Sequence, residues 1–370
     1  MSATRSIDLE DAQGLLAADR QGLLRAASSA GAHVRTIAAA ADEGELAPLR
    51  ADDRARSVIW VAGRGTAQTA GAILAATWGG AASEPIAIAG EAPPWVGPLD
   101  VLIVAGDDPG DPALVSAAAT GVRRGARVLV VAPYEGPLRD STAGRAAVLT
   151  PRLWGPDEFG LCRYLAAGLA ALQAVDRTPS IDLGLLADEL DAEALRNSAA
   201  RELFTNPAKT MAARMAGRRV ALAGDCAATL ALARHGSSVL LRLAHQVVAA
   251  TGLSDAVVAL RDDTSDGASD PVDALFHDEE IDGPLPERLR VLALALAGER
   301  TVVAARVTGL DDVDLVVAED VPDAPDVLDD PAGPDGGLRA PTGAGRPEQQ
   351  LAVLAVRLEM AAVYMRLARG

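Results

Sequence analysis

The chain has 370 residues, of which 49% are hydrophobic, 23% charged and only 3% aromatic, and its formal net charge is −17. Length and composition fit a globular protein of about two domains. So acidic a surface repels phosphate backbones and anionic bilayers, and so few aromatics leave little to stack on bases, so nucleic acid and membrane are excluded as partners. No run of 18 apolar residues is present to cross a bilayer. The opening MSATRSIDLEDA lacks the apolar stretch of a secretory signal. Cys162 and Cys226, the only cysteines, make no disulfide framework, so the cytoplasm is the expected compartment. Lys209 is the only lysine, so amine chemistry has a single candidate.

Residues 1–50 read as a helical segment, with Leu9, Leu16, Leu23 and Leu24 near one face. Short runs rich in Val and Ile follow at Ser57–Gly63, Pro85–Ala89, Val101–Ala105 and Val128–Ala132, with a shorter one at Ala146–Leu149. Their length and composition predict buried strands. Helix patterns lie between them, at residues 66–79 and 111–124, and a further helix over 157–175 closes a first domain spanning 51–175. Strands alternating with helices predict an α/β unit built on a parallel sheet.

Residues 176–205 carry no strand signal and read as a helical linker. Asn206-Pro207-Ala208 then opens a helix, with Pro207 suited to its first position. The strand Arg219–Gly224 runs into a helix as Ser57–Gly63 does, which suggests a duplicated unit over 206–370. A long helix is predicted over 237–251, and strands over 256–260, 289–297 and 313–317. Residues 319–347 are so rich in Pro, Gly and Asp that a surface loop is expected. A terminal helix runs from Glu348 to Arg369.

Chemistry is concentrated at strand ends. Gly63, Arg64, Gly65, Thr66 and Ala67 form a strand-to-helix turn where backbone N–H groups can meet an anion, although a plain tight turn fits as well. The next glycine, Gly71, is too distant for a dinucleotide fingerprint. Asp107, Asp108 and Asp111 follow the third strand; they suit a cation or a helix cap, and do not suit phosphate. Arg152 follows a strand end, where arginine can clamp an oxyanion or simply face solvent. His245 lies in an apolar helical stretch, and His277 precedes three acids in a spacing that matches no zinc motif. Either histidine has the chemistry of a general base, or fills an ordinary structural place. No metal and no cofactor is called for.

Taken in order, these pieces resemble the bifunctional phosphoglucose/phosphomannose isomerase family, whose members carry two sugar isomerase (SIS) domains. The likeness runs from about residue 30 to the terminal helix. Asn206-Pro207-Ala208-Lys209 resembles that family's NPAK opening, residues 274–283 its histidine segment, residues 63–67 its glycine-serine loop, and Pro151-Arg152 its catalytic proline-arginine pair. The resemblance implies two SIS-like α/β domains, each a parallel sheet flanked by helices on both faces. It also implies a homodimer and a sugar phosphate such as fructose 6-phosphate as ligand, with Gly63, Arg64, Gly65, Thr66, Ala67, Asp107 and Asp108 around it.

Not all of the family's machinery is carried over. Its basic glutamate falls at His245, its phosphate-loop serine at Ala67, and its second hydroxyl-rich loop at residues 105–113, which hold three aspartates and no hydroxyl. The terminal helix runs to Gly370 with no tail to carry the family's lysine. Arg152 and His277 keep their chemical type. The expectation is a divergent isomerase-like protein that binds or senses a sugar phosphate, with weak or no catalysis. The alternatives are an active glucose-6-phosphate/mannose-6-phosphate isomerase with His277, Arg152 and a substituted base, His245, and a non-catalytic assembly protein whose acidic 319–347 segment meets a partner.

Overall fold

The structure is a computed structural model and describes residues 6–62, 64–176, 181–265, 288–318 and 346–369. The chain divides into two compact units. The first is Asp19–Ser198 with Ala352–Met360; the second is the remainder, including the first eighteen residues and both ends of the terminal helix.

The chain begins with helix α1 (Ala12–Ala18), which belongs to the second unit. The first unit opens with α2 (Leu23–Ala27) and α3 (Ala30–Asp42). There follow β1 (Ser57–Val61), α4 (Gly65–Trp78), β2 (Ile86–Ala89), β3 (Asp100–Ala105), α5 (Pro112–Arg123), β4 (Arg127–Val131), α6 (Gly136–Thr142), β5 (Ala147–Val148), α7 (Leu161–Val175) and α8 (Leu183–Arg196). The strands form one parallel sheet in the order β2-β1-β3-β4-β5. Every residue of β1 and β3 is buried, which is why these strands read as unbroken apolar runs: helices cover both faces. Ile59, Val61, Leu102, Val104, Val128 and Val130 pack on α5 and α6. The opposite face presents Trp60 to α4 and α7, and a Cβ on Gly71 or Gly168 would come within 2.4 or 3.0 Å of that ring.

Two features of this unit depart from the sequence reading. The N-terminal helical stretch is broken at Gly22, whose φ of 67° needs glycine, and Asp19 caps the next helix by accepting from the N–H groups of Leu23 and Leu24 at 2.8 and 2.9 Å. In α1, of the second unit, Leu16 is exposed while Leu15 is buried. Residues 19–50 and α8 pack within the first unit. Glu193 of α8 is fully buried against Arg357 of the terminal helix, Nε to Oε1 2.8 Å, with Arg196 and Asn197 completing its hydrogen bonds.

The second unit continues with α9 (Pro207–Met215), β6 (Arg219–Gly224), α10 (Ala227–Ala244), β7 (Ala249–Gly252), α11 (Leu253–Ser265), β8 (Leu289–Leu294), α12 (Arg300–Val307), β9 (Val313–Val316) and α13 (Pro347–Arg369). Its described strands form a parallel sheet in the order β7-β6-β8-β9. Ala221, Ala223, Val291 and Ala293 face α11 and α12 on one side, while α10 covers the other.

Here the predicted elements need correction. The helix predicted over 237–251 ends at Ala244, residues 249–252 are a strand, and the predicted strand over 256–260 is helical. Leu253, Ala256 and Leu260 are its buried positions, spaced three and four residues apart, so the AVVAL run is one face of a helix with Val258 exposed. Residues 319–345, read as a surface loop, lie outside the described residues. No described helix is long and apolar enough to cross a membrane.

Candidate functional site

In an open parallel sheet the turns beyond the strand C-termini are where ligands bind. In the first unit three such turns converge. After β1, Arg64 is extended and Gly65, at φ 68°, starts α4. Only glycine adopts that conformation without strain. Thr66 is buried, and its hydroxyl donates to the carbonyl oxygen of Asp157 at 2.9 Å and lies 3.2 Å from its Oδ2. Ala67 is buried and its carbonyl accepts from Trp60 Nε1 at 3.0 Å, so it belongs to the packing of the helix. Gly63 lies outside the described residues.

After β3, Asp107 and Asp108 are exposed. Asp108 accepts from the Gly110 N–H at 2.8 Å and lies 3.9 Å from Arg64. Asp111 caps α5 by accepting from the Ala113 N–H at 2.9 Å, so the cap reading holds for that residue. After β5, Arg152 is held by Glu43 in a two-pronged pair, Nη1 to Oε1 2.8 Å and Nη2 to Oε2. Arg152 holds the Glu43 carboxyl below its usual range. Its fork is thus already engaged.

Four side chains that sequence reasoning did not single out complete this end of the sheet. Asp157 is held by Thr66 and by the Tyr164 hydroxyl, 3.2 Å from Oδ1. Burial, and then the negative charge of Asp107, push its carboxyl above the usual range. Arg163 is buried in the first turn of α7, its guanidinium 4.2 Å from the Tyr164 ring centre. His33, near the start of α3, is buried too, and burial followed by the charge of Arg163 lowers its pKa. The available signal was a lone arginine inside the apolar run LCRYLAAGLAAL; nothing in the sequence ties residues 33, 66, 107 and 157 together.

The other predicted residues belong to the second unit or lie outside the described residues. His245 is not helical: it is the exposed C-cap of α10 at φ 52°, its N–H and that of Gln246 returning to the Leu240 carbonyl. Because α10 starts beyond the C-terminus of β6 and runs back along the sheet, His245 stands at the N-terminal edge of the second sheet. His277 lies outside the described residues. Lys209 is fully buried, and its Nζ donates to the carbonyls of Ala199 and Arg201, both at 2.8 Å, beside the Tyr364 ring. Burial lowers its pKa, with Glu10 and Asp8 opposing. The Asn206 side chain accepts from the Lys209 N–H at 2.9 Å with Pro207 at the first helical position, so the NPAK sequence is here a helix cap followed by a structural lysine. Among the described residues no group of three His, Cys, Asp or Glu side chains is arranged to hold a metal.

Parallel α/β sheets covered by helices on both faces agree with the sugar isomerase (SIS) fold. The solved structures agree. The chain is similar to a candidate phosphosugar isomerase from Clostridium difficile, at 11% identity over 95% of this chain and 93% of that one, with a TM-score of 0.58. It is similar to the tagatose-6-phosphate ketose/aldose isomerase of Escherichia coli, at 13% identity over 99% and 96%, with a TM-score of 0.57. The C-terminal domain of glucosamine-fructose-6-phosphate aminotransferase from Francisella tularensis follows, at 8% identity over 96% of each chain and a TM-score of 0.55. At these identities the likeness is one of fold. No family model matches the chain, and no curated protein matches it at a significant level.

Proposed function

We propose that this chain is a divergent, sugar-phosphate-isomerase-like protein that binds a sugar phosphate weakly, as a binding or regulatory module, with little or no turnover. The observation that carries the proposal is the carboxylate held at the start of α4. Asp157 takes the Thr66 hydroxyl there, the charge of Asp107 acts on it, and Arg152 is paired with Glu43. A phosphate dianion, with a charge of up to about −2, meets the protein's own negative charge where a phosphate-binding turn would offer hydroxyls and N–H groups.

The residues quoted above resemble those of double-domain phosphoglucose/phosphomannose isomerases, and the names of the similar solved structures include phosphosugar and tagatose-6-phosphate isomerases. Fructose 6-phosphate is therefore the ligand to try, on a cytoplasmic homodimer. Calorimetric titration of the full chain with fructose 6-phosphate, with and without magnesium, should give weak saturable heat. Incubation in deuterated water should give no deuterium at C1 or C2 of the sugar. Deuterium incorporation that is lost in His277→Ala would make the protein an active isomerase. No heat over the millimolar range would end the sugar-phosphate proposal.

A further inference from the structure

The segment between β5 and α7 is pinned on both sides of a tryptophan. Before it, Arg152 is held by Glu43, Nη1 to Oε1 2.8 Å. After it, Asp157 is tied to the start of α4: the Thr66 hydroxyl lies 2.9 Å from its carbonyl oxygen and 3.2 Å from Oδ2. Between these anchors Gly155 lies against the buried His33, where a Cβ would stand 3.3 Å from Nε2. The ring of Pro156 fixes one more backbone angle. Trp154, inside this clamp, is 89% exposed, more than any other large hydrophobic side chain among the described residues. Its exposure is therefore built into a short, anchored segment. Three residues of chain reach at most about 10 Å, so Trp154 stands within that distance of Asp157, at the C-terminal end of the first sheet, where α/β proteins bind their ligands.

We propose that Trp154 is the platform on which the sugar ring of the ligand stacks. The inference rests on the reading of this chain as a sugar-phosphate binder, and adds where the ring lies. A sugar's C–H face is its apolar side and packs on an aromatic plane, while its hydroxyls turn outward to polar acceptors. Charge favours that occupant over a second copy of the chain. Asp107 and Asp108 are exposed at this end of the sheet, and Arg64 and Arg152 each already face a carboxylate of their own chain, Asp108 at 3.9 Å and Glu43. A neutral ring meets no repulsion there, whereas a copy with a net charge of −17 does.

The test combines calorimetry with acrylamide quenching of tryptophan fluorescence on the full chain, using fructose 6-phosphate. The difference between the parent and Trp154→Phe isolates the Trp154 emission from that of the other three tryptophans. Saturating sugar phosphate should shield that component from acrylamide, with the same midpoint as the heat. Affinity should fall about tenfold in Trp154→Ala and be kept within about threefold in Trp154→Phe, which retains a ring to stack on. Heat with equal affinity in Trp154→Ala and no shielding would overturn the platform and leave the sugar-phosphate reading standing; no heat in the parent would end that reading and the platform with it. Shielding without sugar that grows with protein concentration would make a second copy the occupant and overturn the proposal.

Discussion

Asp157→Asn tests the charge at the α4 turn. The Asp157 carboxyl is raised by burial and then by Asp107, so in the folded chain it holds its proton more tightly than in the unfolded one. A group shifted in that direction contributes stability that is full below the ordinary carboxylate pKa and is lost as pH rises through the folded value. Asparagine cannot ionise, so the variant should match the parent in acid and gain on it as pH passes upward through that window. A unit like-charge pair about 6 Å apart at an effective dielectric of about 20 costs about 3 kcal/mol before screening. With Asp107 exposed, about 1 kcal/mol is the expected net gain at neutral pH. Thr66 keeps its bond to the backbone carbonyl of residue 157, so little is lost in exchange. The same change removes one charge from beside an incoming dianion, and fructose 6-phosphate should bind at least about tenfold more tightly by calorimetry, some 1.4 kcal/mol. Thermal melts across pH and the titration together decide. Unchanged affinity with no pH-dependent gain would refute the idea that Asp157 is what closes this site to phosphate.

Two further predictions concern the scaffold. Arg357→Met leaves Glu193 buried with only Arg196 and Asn197 as partners; it should cost about 3 kcal/mol, the low end for a broken buried pair. For a unit of this size that is roughly 6–12 °C in melting temperature. Burial opposes ionisation of Glu193, but Arg357 and the other partners hold its carboxyl below the usual range. The stability that this pair contributes is therefore present above the ordinary carboxylate pKa and lost in acid, so the gap between variant and parent should close at low pH. Gly71→Ala places a methyl 2.4 Å from Trp60 Cδ1, where the ring is held by its bond to Ala67, and should cost about 1–3 kcal/mol in chemical denaturation; a neutral result would mean that the ring has room to turn.

Much of the fold was legible because a strand covered on both faces must be apolar throughout. β1, β3, β4, β6 and β8 announce themselves in that way. Helix starts with local chemistry were legible too: Asn206 capping α9, with Pro207 behind it, is settled within four residues. The α10-β7-α11 passage was not, because short apolar runs such as AVVAL fit a strand or a helix equally until a neighbour shows which side is covered. His245 lost its place in a helix for the same reason: a left-handed cap is fixed by the turn it closes, and that turn carries no distinctive residue. The candidate site was the least legible part. Glycines and aspartates at strand ends marked where it would be, since strand-to-helix turns are local. That Asp157 would fill the start of α4, that Glu43 would engage Arg152, and that Arg163 and His33 would be buried were decided only by tertiary structure. Charges distant in sequence interact through space, and what each does depends on burial and on the partner that the fold delivers.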